Sequence, residues 1–126
     1  MIKFRAWDGY RKIMADYVSA IQNGDTQGTP SSVNIIVNGK NETWDIKNDH
    51  VELLQFTGLK DVNGKEIYEN DLVRLTDDLE DPIYKVIFDE AKFEIIGGGV
   101  CYDLGEEFMD CEVIGNAHTD GDLIDS

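Results

Sequence analysis

One stretch in the middle of the chain leaves the backbone few choices: Gln55-Phe56-Thr57-Gly58-Leu59-Lys60-Asp61-Val62-Asn63-Gly64-Lys65-Glu66-Ile67-Tyr68-Glu69-Asn70-Asp71-Leu72-Val73. Asp61-Val62-Asn63-Gly64 has the composition of a tight turn, with Asn63 and Gly64 both able to take left-handed geometry. Ile67 and Tyr68 supply two core anchors. Glu69-Asn70-Asp71 reads as a second turn, and Leu72-Val73-Arg74-Leu75 as the start of a strand. The density of polar and acidic residues suits an active-site loop. Residue by residue, the stretch reads instead as architecture, the joint between two unlike halves.

The flanking text alternates at the strand period. Ile2, Phe4 and Ala6 interleave with Lys3 and Arg5, Asp8-Gly9 signals a turn, and Arg11-Lys12-Ile13-Met14 can pair back. Asp16 to Ile21 is ambiguous: Tyr17, Val18 and Ile21 fit one helical turn or a short strand. Asn23 to Ser32 is rich in turn-formers and reads as a loop. Val33, Ile35 and Val37, the Asn38-Gly39 turn, then Trp44 and Ile46 predict a hairpin over 33–46.

Beyond the central stretch, Asp77-Asp78-Leu79-Glu80-Asp81-Pro82 reads as an acidic loop. A second hairpin follows, with Tyr84, Val86 and Phe88 before the turn at Asp89-Glu90-Ala91 and Phe93 and Ile95 after it. Gly97-Gly98-Gly99 lacks the Lys-Ser/Thr of a phosphate loop and reads as a flexible connector. Glu106 to Asp110 suits one helical turn after Gly105, and Glu112 to Gly115 a strand that closes the sheet. Residues Asn116 to Ser126 form a polar tail with an apolar clip at Leu123-Ile124.

Charge separates the halves. Residues 1–63 hold 7 Lys and Arg against 8 Asp and Glu, while residues 64–126 hold 4 against 18, for a total of −15. Binding to nucleic acid is driven by basic side chains that release counterions from phosphates, so direct binding by the acidic half is disfavoured. A solvated acidic surface explains the excess, with a basic partner protein or mimicry of a nucleic acid as the alternatives. The hydrophobic fraction, 41%, suits a soluble domain that folds without disulfides or metal. Cys101 and Cys111 have no CxxC or Cys/His neighbourhood and read as buried small hydrophobes in a reducing compartment. No apolar run reaches transmembrane length, and no hydrophobic signal core follows Lys3 and Arg5, so no membrane association and a cytoplasmic location are expected.

Three blocks, Phe4-Arg5-Ala6-Trp7-Asp8, Gln55 to Val73, and Val113-Ile114-Gly115-Asn116, together resemble the YopX family of small bacteriophage and prophage proteins, chiefly of Gram-positive bacteria. The blocks come in the family's order and bracket nearly the whole chain. Where the family pattern has Gly between Glu69 and Asp71, this chain has Asn70, the residue other than Gly that most readily adopts positive φ. The resemblance implies a strongly β-dominated α+β fold, N-terminal strands and a hairpin joined to a small C-terminal SH3-like β-barrel. It implies a single YopX-like domain over 1–126, with a β-rich lobe at 1–54 and a barrel-like lobe with an acidic tail at 55–126. It implies no catalytic residues.

The chemistry-bearing candidates each have a plainer reading. Glu69 and Asp71 beside Tyr68 could work as an acid–base pair, but short carboxylates at such turns commonly cap backbone amides. Asp120, Asp122 and Asp125 with His118 could hold a cation, but lack the Gly and terminal Glu of a calcium loop. His50 and His118 have no evident nucleophile partner. No catalytic, cofactor-binding or metal-binding residue is assigned. Trp7, Tyr10, Tyr17 and Trp44 are candidate interface anchors, with core packing the stronger expectation for each. The expectation is a non-enzymatic phage or prophage accessory protein that acts by contact with a protein partner or as a homo-oligomer. The alternatives are a nucleic-acid-linked regulator using Lys3, Arg5, Arg11 and Lys12, and an acidic DNA mimic that inhibits a host enzyme.

Overall fold

A computed structural model describes residues 3–23, 30–75 and 82–121. Ile2, residues 24–29 of the expected first loop, residues 77–81 of the acidic loop, and Asp122, Leu123, Ile124 and Asp125 of the tail lie outside the described residues. The chain packs as two compact units, Met1–Gln55 and Phe56–Ser126.

In the first unit, β1 (Phe4–Asp8) pairs antiparallel with β2 (Ile13–Ala15) and with the first half of β6 (Val51–Lys60), with Trp7 opposite Met14 and Ala6 opposite Leu53. A separate three-stranded sheet runs in the order β3 (Tyr17–Asn23), β4 (Pro30–Val37), β5 (Lys40–Asp45). Ala6, Ala15, Val33, Ile35 and Trp44 form the shared core, flanked by Val18, Val37, Ile46, Val51 and Leu53. Alternation explains the choice: Val33 and Ile35 point inward while Asn34 holds the outer side of β4. Asn38 and Gly39 both take positive φ (51° and 77°), the type I′ pattern that matches strand twist.

In the second unit, the rest of β6 pairs with β7 (Glu66–Tyr68), and the Phe56 and Tyr68 rings meet at 5.4 Å. Gly58, with φ 85°, sits where the pairing register shifts, so the strand carries a bulge there. A meander of β8 (Asp71–Leu75), β9 (Tyr84–Asp89), β10 (Lys92–Gly97) and β11 (Val100–Asp103) follows. A four-residue helix α1 (Leu104–Glu107), capped by the Asp103 carboxylate, and a 3-10 turn then lead into β12 (Cys111–Asn116), which returns beside β8. This order, a meander closed by a last strand against its first, is that of a small SH3-like barrel. Ile67, Val73, Leu75, Tyr84, Val86, Ile95, Leu104 and Cys111 fill its core. The fold class is strongly β-dominated α+β.

Several local expectations need correction. The ambiguous stretch is a strand from Tyr17 onward, and β3 and β4 take up both ends of the expected loop. In the 61–64 turn only Gly64 is left-handed (φ 81°), the Asp61 carboxylate holding the Asn63 and Lys65 N–H groups. Gly98 and Gly99, both at positive φ, form a tight hairpin turn rather than a flexible connector, and an extra strand, β11, follows. The helical turn starts at Leu104, two residues early, because Asp103 rather than Gly105 sets its beginning.

Candidate functional site

Strand β3 lies at the edge of its sheet, and an open groove of about 430 Å³ runs along it. Lys3, Phe4 and the run from Tyr17 to Ile21 line it. Tyr17 (47% exposed) and Ile21 (38%) present large apolar surface there. A register shift between Val18 and Ala20 marks a bulge at Ser19, whose hydroxyl bonds the Asn34 carbonyl at 3.1 Å. An end strand beside a groove with exposed apolar side chains is suited to receive an extended segment, the backbone giving affinity and the groove selectivity.

Of the four aromatic anchors expected, two belong to the core. Trp44 is 1% exposed and Trp7 7%, whereas Tyr10 and Tyr17 are surface residues. Of the basic residues expected at the N-terminal end, Arg11 is engaged by carboxylates. The Arg11 guanidinium faces Asp8 at 3.4 Å, Asp49 at 3.7 Å and Glu42 at 4.0 Å. Asp8 is fully buried and its Oδ1 accepts from the Tyr10 and Arg11 N–H groups, so this knot fixes the β1–β2 turn.

The second unit brings the polar candidates together around the Asn70 turn. Asp71 Oδ2 accepts from the Tyr68 N–H at 2.7 Å and Oδ1 from the Asn116 amide at 3.0 Å. The Asn116 side-chain Oδ1 in turn accepts from the His118 N–H, and the His118 ring lies 3.2 Å from the Asn70 side-chain amide. Asn70 has φ 66°, as its place in the turn requires. Asp120 accepts from the Asn116 N–H and the Thr119 hydroxyl; that hydroxyl foremost, and the N–H next, hold its carboxyl below the usual range. The carboxylates therefore cap a turn and a strand end. Asp122 and Asp125 lie outside the described residues, and no group of three metal-ligating side chains occurs among the described ones.

Sequence reasoning missed Asp61. Its carboxylate accepts from three backbone N–H groups, those of Asn63, Lys65 and Val113, each at 2.8 Å. Burial works to raise its pKa, but these donors and the Lys65 charge outweigh it and leave the carboxyl depressed. The only local signal was the Asp-x-Asn-Gly pattern; the Val113 partner is far away in sequence. The cysteines also differ from expectation. Cys111 is buried, and burial first, with Glu107, Asp110 and Asp61 around it, pushes its thiol up to about 12. Cys101 is exposed, its thiol bonded to Glu94 at 3.2 Å, because β11 is an edge strand.

These features define a small antiparallel-β protein of two units, the second in SH3-like strand order. The chain belongs to the YopX family: the model of the YopX protein matches residues 3–125. Protein EF1440 from Enterococcus faecalis is similar in its crystal structure, with 25% identity, 98% of each chain covered and a TM-score of 0.70. Protein yopX from Bacillus subtilis has the same fold, with 19% identity, 96% of each chain covered and a TM-score of 0.66. No curated protein matches the chain. No described helix is long and apolar enough to cross a membrane.

Proposed function

We propose that this is a phage or prophage accessory protein, working in the cytoplasm of a bacterial host, that acts by protein–protein contact rather than by catalysis. The observation that carries the reading is the β3 edge with its adjoining groove: Tyr17 and Ile21 stand exposed there on a strand that ends its sheet among the described residues. Strand addition at such an edge uses main-chain hydrogen bonds for affinity and side-chain pockets for selectivity. The polar residues of the second unit support the same reading, since the hydrogen bonds of Asp71, Asn116 and Asp120 all serve turns and strand ends.

Affinity capture from a Gram-positive host lysate tests this, with the full chain and its Ile21→Lys variant as baits. One stoichiometric protein retained by the first and lost by the second is the expected result. Salt-labile capture of DNA-processing enzymes by both baits alike would favour mimicry of DNA by the acidic unit. Tight binding of labelled DNA or RNA near physiological salt would overturn the protein-contact reading in favour of a nucleic-acid-linked regulator.

A further inference from the structure

We infer that the occupant of the β3 edge is a second copy of this chain, strand β3 lying antiparallel against strand β3 about a two-fold axis. This rests on the protein-contact reading above and names its partner.

The first argument is the composition of the edge. Neither β3, Tyr17–Asn23, nor β4, Pro30–Val37, carries an Asp, Glu, Lys or Arg. A two-fold interface sets a strand against its own copy, so a central charge on it meets its like. Soluble proteins use that effect, placing Lys and other charges on edge strands to stop edge-to-edge pairing. β3 carries no such block of its own, Lys3 being the one charged side chain that lines the groove beside it.

The second argument is the distribution of charge over the whole chain. Met1–Gln55 holds 6 basic and 7 acidic side chains, Phe56–Ser126 holds 5 and 19. Two copies repel through their acidic units, so the near-neutral unit is where like chains can approach. A basic partner protein would be drawn to the acidic unit instead, away from β3.

The third argument is symmetry. Tyr17 and Ile21 stand two residues either side of Ser19. The bulge turns Tyr17, opposite Ile36, and Ile21, opposite the inward Val33, to opposite faces of the sheet, so antiparallel self-pairing centred on Ser19 places Tyr17 of both copies on one face and Ile21 of both on the other. The bulge at Ser19 keeps the backbone ladder short. Exposed apolar side chains then flank the joint on both faces, and the dimer is concentration-dependent rather than permanent.

Sedimentation of the full chain over a concentration series tests the inference. A monomer–dimer equilibrium is expected, tightening as salt screens the acidic units. Ile21→Lys should raise the dimer dissociation constant at least about tenfold, a difference of about 1.4 kcal/mol, while Tyr10→Lys on the β1–β2 turn should leave it unchanged. Mild oxidation of Ser19→Cys in a Cys101→Ser background should link two chains, and Tyr10→Cys in the same background should not; this pair decides the matter if Ile21→Lys misfolds. A chain that stays monomeric throughout with no Ser19→Cys cross-link, or a dimer indifferent to both changes, overturns the inference. Either outcome leaves the protein-contact reading to the capture experiment, which needs no second copy.

Discussion

The Asp61 carboxylate accepts a hydrogen bond from the Val113 N–H at 2.8 Å, tying the turn after β6 to β12 across 52 positions of sequence. Its other oxygen holds the Asn63 and Lys65 N–H groups, so one side chain closes the turn and pins it to the last strand. Asp61→Ala strands three donors and should destabilise the protein by about 2 kcal/mol in urea unfolding at neutral pH, within the range for unpaired backbone groups.

The pH dependence of that tie follows from its sign. A carboxyl whose pKa is lower in the folded than the unfolded chain stabilises the fold above its ordinary value, 3.8, and loses that contribution as pH falls through the depressed one. The parent protein should therefore lose more stability than Asp61→Ala as it is acidified below about pH 4, and the two melting curves should converge. Parallel curves would show that Asp61 is not the titrating tie.

Asn116 is the corresponding knot on the far side of β12. It is 5% exposed, donates to Asp71 and accepts from the His118 N–H. Asn116→Ala should cost about 1–3 kcal/mol by leaving Asp71 and that N–H short of partners. Thermal unfolding measures it.

Two hairpin positions should respond in opposite directions. Ala91 holds φ 67°, a left-handed conformation that costs a residue with a Cβ about 1 kcal/mol, so Ala91→Gly should stabilise the protein. At Gly97 a Cβ would fall 2.6 Å from the Ile83 carbonyl oxygen, so Gly97→Ala should destabilise by about 1–3 kcal/mol. Urea midpoints of the two variants check both signs.

The two thiols are free and unequal. A disulfide reagent should modify Cys101 in the native protein and reach Cys111 only on unfolding, since burial both shields that thiol and suppresses its thiolate. Equal native reactivity would contradict the packing of β12.

Much of this was legible in the sequence where a local rule applied. Asn38-Gly39 and Asn70 marked positive-φ turns, Ile67 and Tyr68 are core residues, and the alternation from Tyr84 to Ile95 located a hairpin whose turn, Glu90-Ala91, contains no glycine. What escaped depended on distant partners. Asp8 looked like a turn residue and Arg11 part of a basic patch until folding placed Asp49 and Glu42 beside them. The run of three glycines concealed a turn, and Val100 to Tyr102 was too short to reveal β11. Position in the sheet, rather than composition, made Cys101 exposed and β3 an edge. The groove along β3 had no signal beyond Tyr17.

Backbone amide exchange, followed at low and high protein concentration, tests the role of β3 most directly. The expected result is slowed exchange at high concentration confined to Tyr17–Asn23 and the adjoining Phe4, with the β1–β2 turn at Tyr10 unchanged. Exchange in β3 that is indifferent to concentration, or slowing confined to the acidic unit, would contradict docking of a second chain at this edge.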